Sequence, residues 1–154
     1  MTRLVEGDKA PAFTLTDHRG QKKSLKDFAG ERIVLYFYPA DDTPGCTTEA
    51  CQFNEALSNF KNLGVSVIGI SPDDAQSHVA FRKKYGLNFL LLSDTNKKVM
   101  ERYGAYGEKM MYGKKVIGVI RSTFIIGPTG RIEKAYYGVR ADGHAAKVIK
   151  ELTS

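Results

Sequence analysis

Residues 33–38 read IVLYFY, an unbroken apolar and aromatic run that stops at Pro39. A run of that length suits a strand better than a helix. Side chains alternate across a strand, so both faces of this one are apolar, and both must be covered by other elements. That requirement places it inside a mainly parallel sheet with helices on either side. VSVIGI at 65–70 has the same character and predicts a second core strand. Between the two, Ala50, Phe53, Leu57 and Phe60 recur at spacings of three and four, which predicts a helix starting near Thr43 and ended by Gly64.

The remaining pattern extends this alternation. A strand-and-turn lead-in covers residues 1–30, with alternation at Ala12-Phe13-Thr14-Leu15 and a turn at His18-Arg19-Gly20-Gln21. A second helix is expected from Asp73 to Tyr85, with Val79 and Phe81 partly inward and Gly86 as its stop. Phe89 to Leu92 reads as a short strand, and Thr95 to Tyr103 as a third helix with Thr95 as N-cap. Gly104 to Lys115 reads as a Gly- and Lys-rich loop. Val119 to Ile126 and Arg131 to Tyr137 read as strands joined by a Gly127-Pro128-Thr129-Gly130 turn, before a last helix at 142–152. Strands alternating with helices, then a hairpin and a final helix, indicate an α/β three-layer sandwich with a central mixed β-sheet, in the order of a thioredoxin-like fold. With 154 residues and no linker or repeat, one domain spanning 1–154 is expected.

Charge and cysteine usage narrow the function. The formal charge is +6, from 23 basic and 17 acidic residues. The surplus concentrates at 95–121, where Lys97, Lys98, Arg102, Lys109, Lys114, Lys115 and Arg121 face only Glu101 and Glu108. A solvated face accounts for this, and attraction of an acidic partner or anionic substrate is the sharper alternative. Nucleic acid is not expected, because zinc-finger spacing, an RNP signature and a basic helix with stacking aromatics are all missing from the sequence. No run approaches the ~20 apolar residues of a membrane span. The opening MTRLVEGDKAPAF has no apolar signal-peptide core, so a cytoplasmic, membrane-free protein is expected. Structural disulfides are rare there. The two cysteines, Cys46 and Cys51, have four residues between them, which is not C-x-x-C. His18, His78 and His144 lack zinc-ligand spacing with them, so no metal and no other cofactor is expected.

Cys46 stands in an informative place. Thr43 is a good N-cap, Pro44 then falls at N1, Gly45 at N2 and Cys46 at N3. The thiol therefore lies among the unpaired N–H groups of a helix start, just beyond the carboxyl end of a core strand, where α/β proteins place their sites. A helix N-terminus favours the thiolate, which is the nucleophilic form. Gly45 leaves room for a small substrate, and the Thr43 hydroxyl can serve as donor or acceptor. Asp41 and Asp42 oppose an anion, so both are expected to point to solvent with a cation nearby. Cys46 continues the stripe 46, 50, 53, 57, 60 and should be semi-buried, whereas Cys51 is turned about 100° from Ala50 toward Asn54 and Ser58. Cα atoms five residues apart in a helix lie roughly 8.7 Å apart, beyond the ~7 Å limit of a disulfide. A Cys46–Cys51 bond requires the first turns to unwind, and otherwise the two thiols stay separate.

The string YFYPADDTPGCTTEAC resembles the active-site segment of peroxiredoxins, in particular the bacterioferritin comigratory protein or Q type. GDKAPAFTL, VSVIGISPD and FLLLSD extend the resemblance over nearly the whole chain. The resemblance implies a thiol-dependent peroxidase acting on hydrogen peroxide and organic hydroperoxides. Cys46 would be the peroxidatic cysteine and Cys51 its resolving partner. Pro39 would shield the sulfur, and Thr43 with the Cys46 N–H would bind the peroxide. Arg121, before the strand STFII, would be the catalytic arginine. Glu49 either orients that arginine or is an exposed helix acid. Thioredoxin or a similar dithiol protein would recycle the disulfide, and a monomer is expected. One departure is Ala40, where many members of the family carry a lysine. Two rivals remain outside this family. A thioredoxin-like disulfide reductase would need C-x-x-C, and a basic binding module would carry no reactive thiol.

Overall fold

A computed structural model describes residues 3–154. The strands are β1 (Thr14–Asp17), β2 (Lys22–Ser24), β3 (Arg32–Phe37), β4 (Val65–Ser71), β5 (Leu90–Ser93), β6 (Tyr106–Met111), β7 (Lys114–Val119), β8 (Ser122–Ile126) and β9 (Ile132–Tyr137). The helices are α1 (Pro44–Glu55), α2 (Leu57–Asn62), α3 (Ala75–Tyr85), α4 (Lys98–Arg102) and α5 (His144–Leu152). Seven strands form one mixed sheet in the order β2-β1-β5-β4-β3-β8-β9. β3 runs parallel to β4 and antiparallel to β8, and β4 runs parallel to β5. The expected mixed sheet between helical layers is present.

β3 is the centre of this arrangement because both of its faces are used. Val34, Tyr36 and Tyr38 join Cys46, Ala50, Phe53, Phe60, Phe81 and Val148 in one core. Ile33, Leu35 and Phe37 join Ile68, Leu92, Met100, Tyr103 and Phe124 in the other. Tyr36 lies over Gly69 of β4, where a Cβ would come within 3.0 Å of the ring, so glycine is required for β4 to pack at that level.

Four local expectations change. The helix from Thr43 does not run unbroken to Gly64. It relaxes at Ala56, whose N–H is shared between the Gln52 and Phe53 carbonyls, and resumes as α2. In α3 it is His78 and Phe81 that face inward, while Val79 is 48% exposed. Thr95 does not cap α4. Asp94 does so from upstream, its carboxylate accepting from the Val99 and Met100 N–H groups, while Lys97 takes a left-handed conformation. Most of Gly104–Lys115 is not a loop but part of the β6–β7 hairpin. Its two-residue turn is Tyr112-Gly113, both at positive φ, the geometry that suits the twist of a hairpin. The exposed, lysine-rich strands conceal the alternation that a half-buried hairpin would have displayed.

Candidate active site

The polypeptide leaves β3 at Tyr38, turns through half-buried Pro39 and enters α1 at Pro44. Thr43 is the N-cap residue, with extended backbone angles, and Cys46 is N3. The Thr43 side chain, however, does not cap the helix. Its hydroxyl donates to the Ala40 carbonyl at 2.9 Å. The hydroxyl proton is therefore committed, and the oxygen keeps lone pairs for accepting. The first intrahelical bond runs from Thr47 N–H to the Thr43 carbonyl, so the Cys46 N–H has no helical partner. The Cys46 side chain is more deeply placed than expected, at 1% exposure.

Arg121 reaches this sulfur from the segment between β7 and β8. Its Nη2 donates to Cys46 Sγ at 3.4 Å, and its Nη1 donates to Glu49 Oε1 at 2.6 Å. One guanidinium thus spans the thiol and a fully buried carboxylate. Burial works against its charge, but the Glu49 carboxylate and the Cys46 sulfur outweigh burial and hold the guanidinium above its usual range. Gly45 is needed for this approach, because a Cβ there would sit 3.1 Å from Arg121 Nη2. Of the two readings left open for Glu49, the structure has the residue that holds Arg121, on the same helix face as Cys46 and Ala50. Cys51 lies half-buried on the adjoining face of α1, and burial together with the Glu55 carboxylate pushes its thiol up.

The acidic loop departs from expectation. Asp41 does not point to solvent: its side chain is 3% exposed. Its carboxylate accepts from Tyr38 Oη at 2.6 Å and Ser77 Oγ at 2.8 Å, and meets His78 Nδ1 at 2.7 Å. His78 Nε2 faces the Leu92 carbonyl, which can only accept, so that nitrogen carries a proton. The Asp41 N–H is held by Asp73, which also accepts from Ser71 Oγ. These bonds pin the loop to β4 and α3 and keep the Asp41 charge occupied away from the thiol. Asp42 is exposed, at a positive φ, and binds Lys84 Nζ at 2.8 Å and Tyr85 Oη at 2.6 Å. Lys84 and then Tyr85 hold its carboxyl below the usual range. Lys84 is therefore the cation that balances Asp42. Sequence reasoning did not find His78; its only signal was a position three residues before Phe81, on the same buried stripe.

His144, at the start of α5, completes the packing around α1. Its Nε2 pairs with Thr123 Oγ1 at 2.8 Å, and its ring meets Phe53 edge to face. Glu49 and His144 drive the pH dependence of stability in opposite directions. Burial, partly offset by Arg121, pushes the Glu49 carboxyl from 4.5 up to about 7. Its contribution is full below the lower value and is lost as pH rises through the upper one. Burial, reinforced by Lys147 and Arg121, pushes His144 from 6.5 down to about 4. Its contribution is full above 6.5 and is lost as pH falls through about 4. Relative to the wild type, His144→Gln should lose stability as pH rises across the His144 window, where the contribution it lacks comes in. Glu49→Gln should instead gain on the wild type as pH rises across the Glu49 window, where the contribution it lacks fades. Urea midpoints at several pH values across both windows check this, and equal slopes in both variants would contradict it.

A cleft of about 520 Å³ lies elsewhere. Leu25, Phe28, Ile33, Ile126 and Pro128 line it at the opposite end of β3, with no thiol or imidazole, so the chemistry is not there. Among the described residues no cluster of His, Cys, Asp and Glu has the arrangement of a metal site.

The site can be set against known proteins. Residues 6–135 match the profile of the AhpC/TSA family. A Mycobacterium tuberculosis protein with a provisional peroxiredoxin name is 53% identical over 152 residues, covering 99% of this chain and 97% of its own. Peroxiredoxin Bcp of Bacillus subtilis is 42% identical over 146 residues, covering 95% and 97%. The solved bacterioferritin comigratory protein of Xanthomonas campestris, studied for its alkyl peroxide reduction activity, superposes with a TM-score of 0.88. It is 36% identical, over 99% of this chain and 98% of that one. With a thiol at a helix start held by an arginine, and with these matches along nearly its whole length, this chain is a peroxiredoxin of the AhpC/TSA family and the bacterioferritin comigratory (Q-type) subgroup, a thiol peroxidase on a thioredoxin-like fold.

Proposed function

We propose that Cys46 is the peroxidatic and Cys51 the resolving cysteine of this peroxidase, with Arg121, Thr43, Pro39 and Glu49 completing the site. The observation that carries this reading is the Arg121 fork between Cys46 Sγ and Glu49 Oε1. The Cys46 thiolate attacks the terminal oxygen of a hydroperoxide. The O–O bond breaks, the terminal oxygen stays on sulfur as a sulfenic acid, and the leaving hydroxide or alkoxide takes up the proton released when the thiol ionised and departs as water or an alcohol. Arg121 and the free Cys46 N–H donate to the peroxide oxygens as charge develops on them. Thr43 Oγ, its proton engaged by Ala40, accepts the peroxide O–H and so orients the bond for attack. Pro39 keeps water from the sulfur. The substrates are hydrogen peroxide and organic hydroperoxides, and thioredoxin or a similar dithiol protein reduces the resulting disulfide. The cytoplasm suits a protein whose cycle passes through reduced thiols, and the described residues include no helix long and apolar enough to cross a membrane.

In the reduced form α1 is continuous across both cysteines. Their Cα atoms in such a helix lie roughly 8.7 Å apart, against ~7 Å for a disulfide. Oxidation must therefore unwind about Thr43 to Gln52, while Phe53 and Phe60 stay anchored in the core. Each helical hydrogen bond lost costs about 1 kcal/mol, and a ring this short gains little closure entropy in return. One equivalent of peroxide should remove both thiols and strip hydrogen-exchange protection from amides 46–52. Two surviving thiols would contradict the peroxidase cycle. Equal protection in the two forms would contradict the unwinding.

A further inference from the structure

Cys51 is followed directly by Gln52, which is tied to the far side of the site by both ends of its amide. Gln52 Nε2 donates to Asp142 Oδ1 at 2.7 Å, and the Gly143 N–H donates to Gln52 Oε1 at 2.8 Å. Gly143 is the N-cap of α5, at φ 81 and without a side-chain cap of its own. The segment 139–143 that Gln52 secures is the one lying over the reactive turn. Ala141 Cβ comes 4.0 Å from where a Cβ on Gly45 would be. At its other end the Val139 N–H donates to the Arg121 carbonyl at 3.0 Å. The segment is thus fastened to the arginine at one end and to the cysteine helix at the other.

We propose that Gln52 is a positioning residue, a latch that sets how fast the cysteine helix opens and releases the 139–143 segment in the same step. The proposal rests on the reading of Cys51 as resolving cysteine. For Cys51 to reach Cys46 the backbone at 51–52 must leave the helix, and neither Gln52 bond can survive that displacement. The sulfenic acid then has two fates. Cys51 attacks it, forming the S–S bond and expelling the sulfenic oxygen as water with the thiol's proton. Alternatively a second hydroperoxide oxidises it to the sulfinic acid, its O–O bond breaking and water or an alcohol leaving. A tighter latch holds the reactive geometry for longer and gives the second fate more time.

Gln52→Met tests this, since methionine keeps length and helix propensity while losing both hydrogen bonds. After a single turnover, quenched by alkylation and followed by intact mass, this variant should form the disulfide roughly tenfold faster than the wild type. The initial consumption of peroxide should be unchanged, and the sulfinic fraction at high peroxide should fall. Asp142→Ala should show part of the effect, and the double variant should be no faster than Gln52→Met alone, because one contact is being removed twice. A second readout is tryptic cleavage after Arg140, an exposed residue within the latched segment. Cleavage there should be slow in the reduced wild type and fast in both the oxidised wild type and reduced Gln52→Met. Equal rates of disulfide formation in Gln52→Met and wild type would overturn the latch alone, as would a slowed first step. A wild type that forms no Cys46–Cys51 disulfide would overturn the resolving role of Cys51, and the latch with it.

Discussion

Cys46→Ser should fold normally and lose peroxide reduction by at least about 10³-fold, the scale on which removal of a nucleophile acts. The substitution is nearly isosteric at a residue that is 1% exposed, and it leaves the Arg121–Glu49 pair in place. What it removes is the chemistry. A serine hydroxyl is not ionised at neutral pH, and oxygen attacks a peroxide bond far more slowly than a polarizable thiolate does. Cys51→Ser is the informative partner. It should react once at the wild-type rate, stop at the sulfenic acid and proceed to the sulfinic acid with excess peroxide. The measurement is pre-steady-state peroxide consumption by the three proteins without any reductant. Rapid consumption by Cys46→Ser would move the reactive thiol to Cys51 and dismantle the mechanism.

How much of this was legible in the sequence depended on how local each signal was. β3 could be read outright, because six apolar residues in a row leave a strand no exposed face. The N3 position of Cys46 could also be read, since Thr43, Pro44 and Gly45 are local helix-start signals and the helix begins where they place it. The stripe with Ala50 and Phe53 turned Cys46 inward but pointed only to a semi-buried thiol, and at 1% exposure it lies deeper than that stripe implied. Glu49 was ambiguous only because its partner, Arg121, lies 72 residues away. Asp41 was misread for the same reason, its imidazole partner being 37 residues distant. A charged pair in sequence defaults to solvent unless something far along the chain claims it. Arg121 itself carried no local signal. It was found by resemblance, and the antiparallel register of β8 on β3, with Ser122 opposite Phe37, explains how it arrives at the carboxyl end of β3. The β6–β7 hairpin was missed because its strands are mostly solvent-exposed, with Met110 and Ile117 65% and 71% exposed, so apolar spacing did not report its pairing.

Arg121→Lys should reduce the rate with peroxide by about 10²-fold, comparable to the loss of one preorganised donor at a site of developing charge. Geometry rather than charge makes the difference. Arg121 serves Cys46 Sγ and Glu49 Oε1 simultaneously, through two nitrogens of one planar group. A lysine ammonium is a single point on a flexible stem and cannot occupy both positions. The Glu49 carboxyl, fully buried and already pushed up to about 7, has no other partner among the described residues, and its Oε2 is left without a hydrogen bond. If the ammonium goes to Glu49, the sulfur loses its cation. If it goes to the sulfur, a buried carboxylate is unpaired and takes up a proton instead. Either way one half of the fork is lost, and the first leads to a slow enzyme of near-normal stability while the second costs stability as pH rises above the Glu49 value. Kinetics with hydrogen peroxide, read beside urea midpoints on both sides of pH 7, separate the two. A lysine variant within about threefold of the wild-type rate would show that charge alone suffices at this position and that the planar fork is not part of the mechanism.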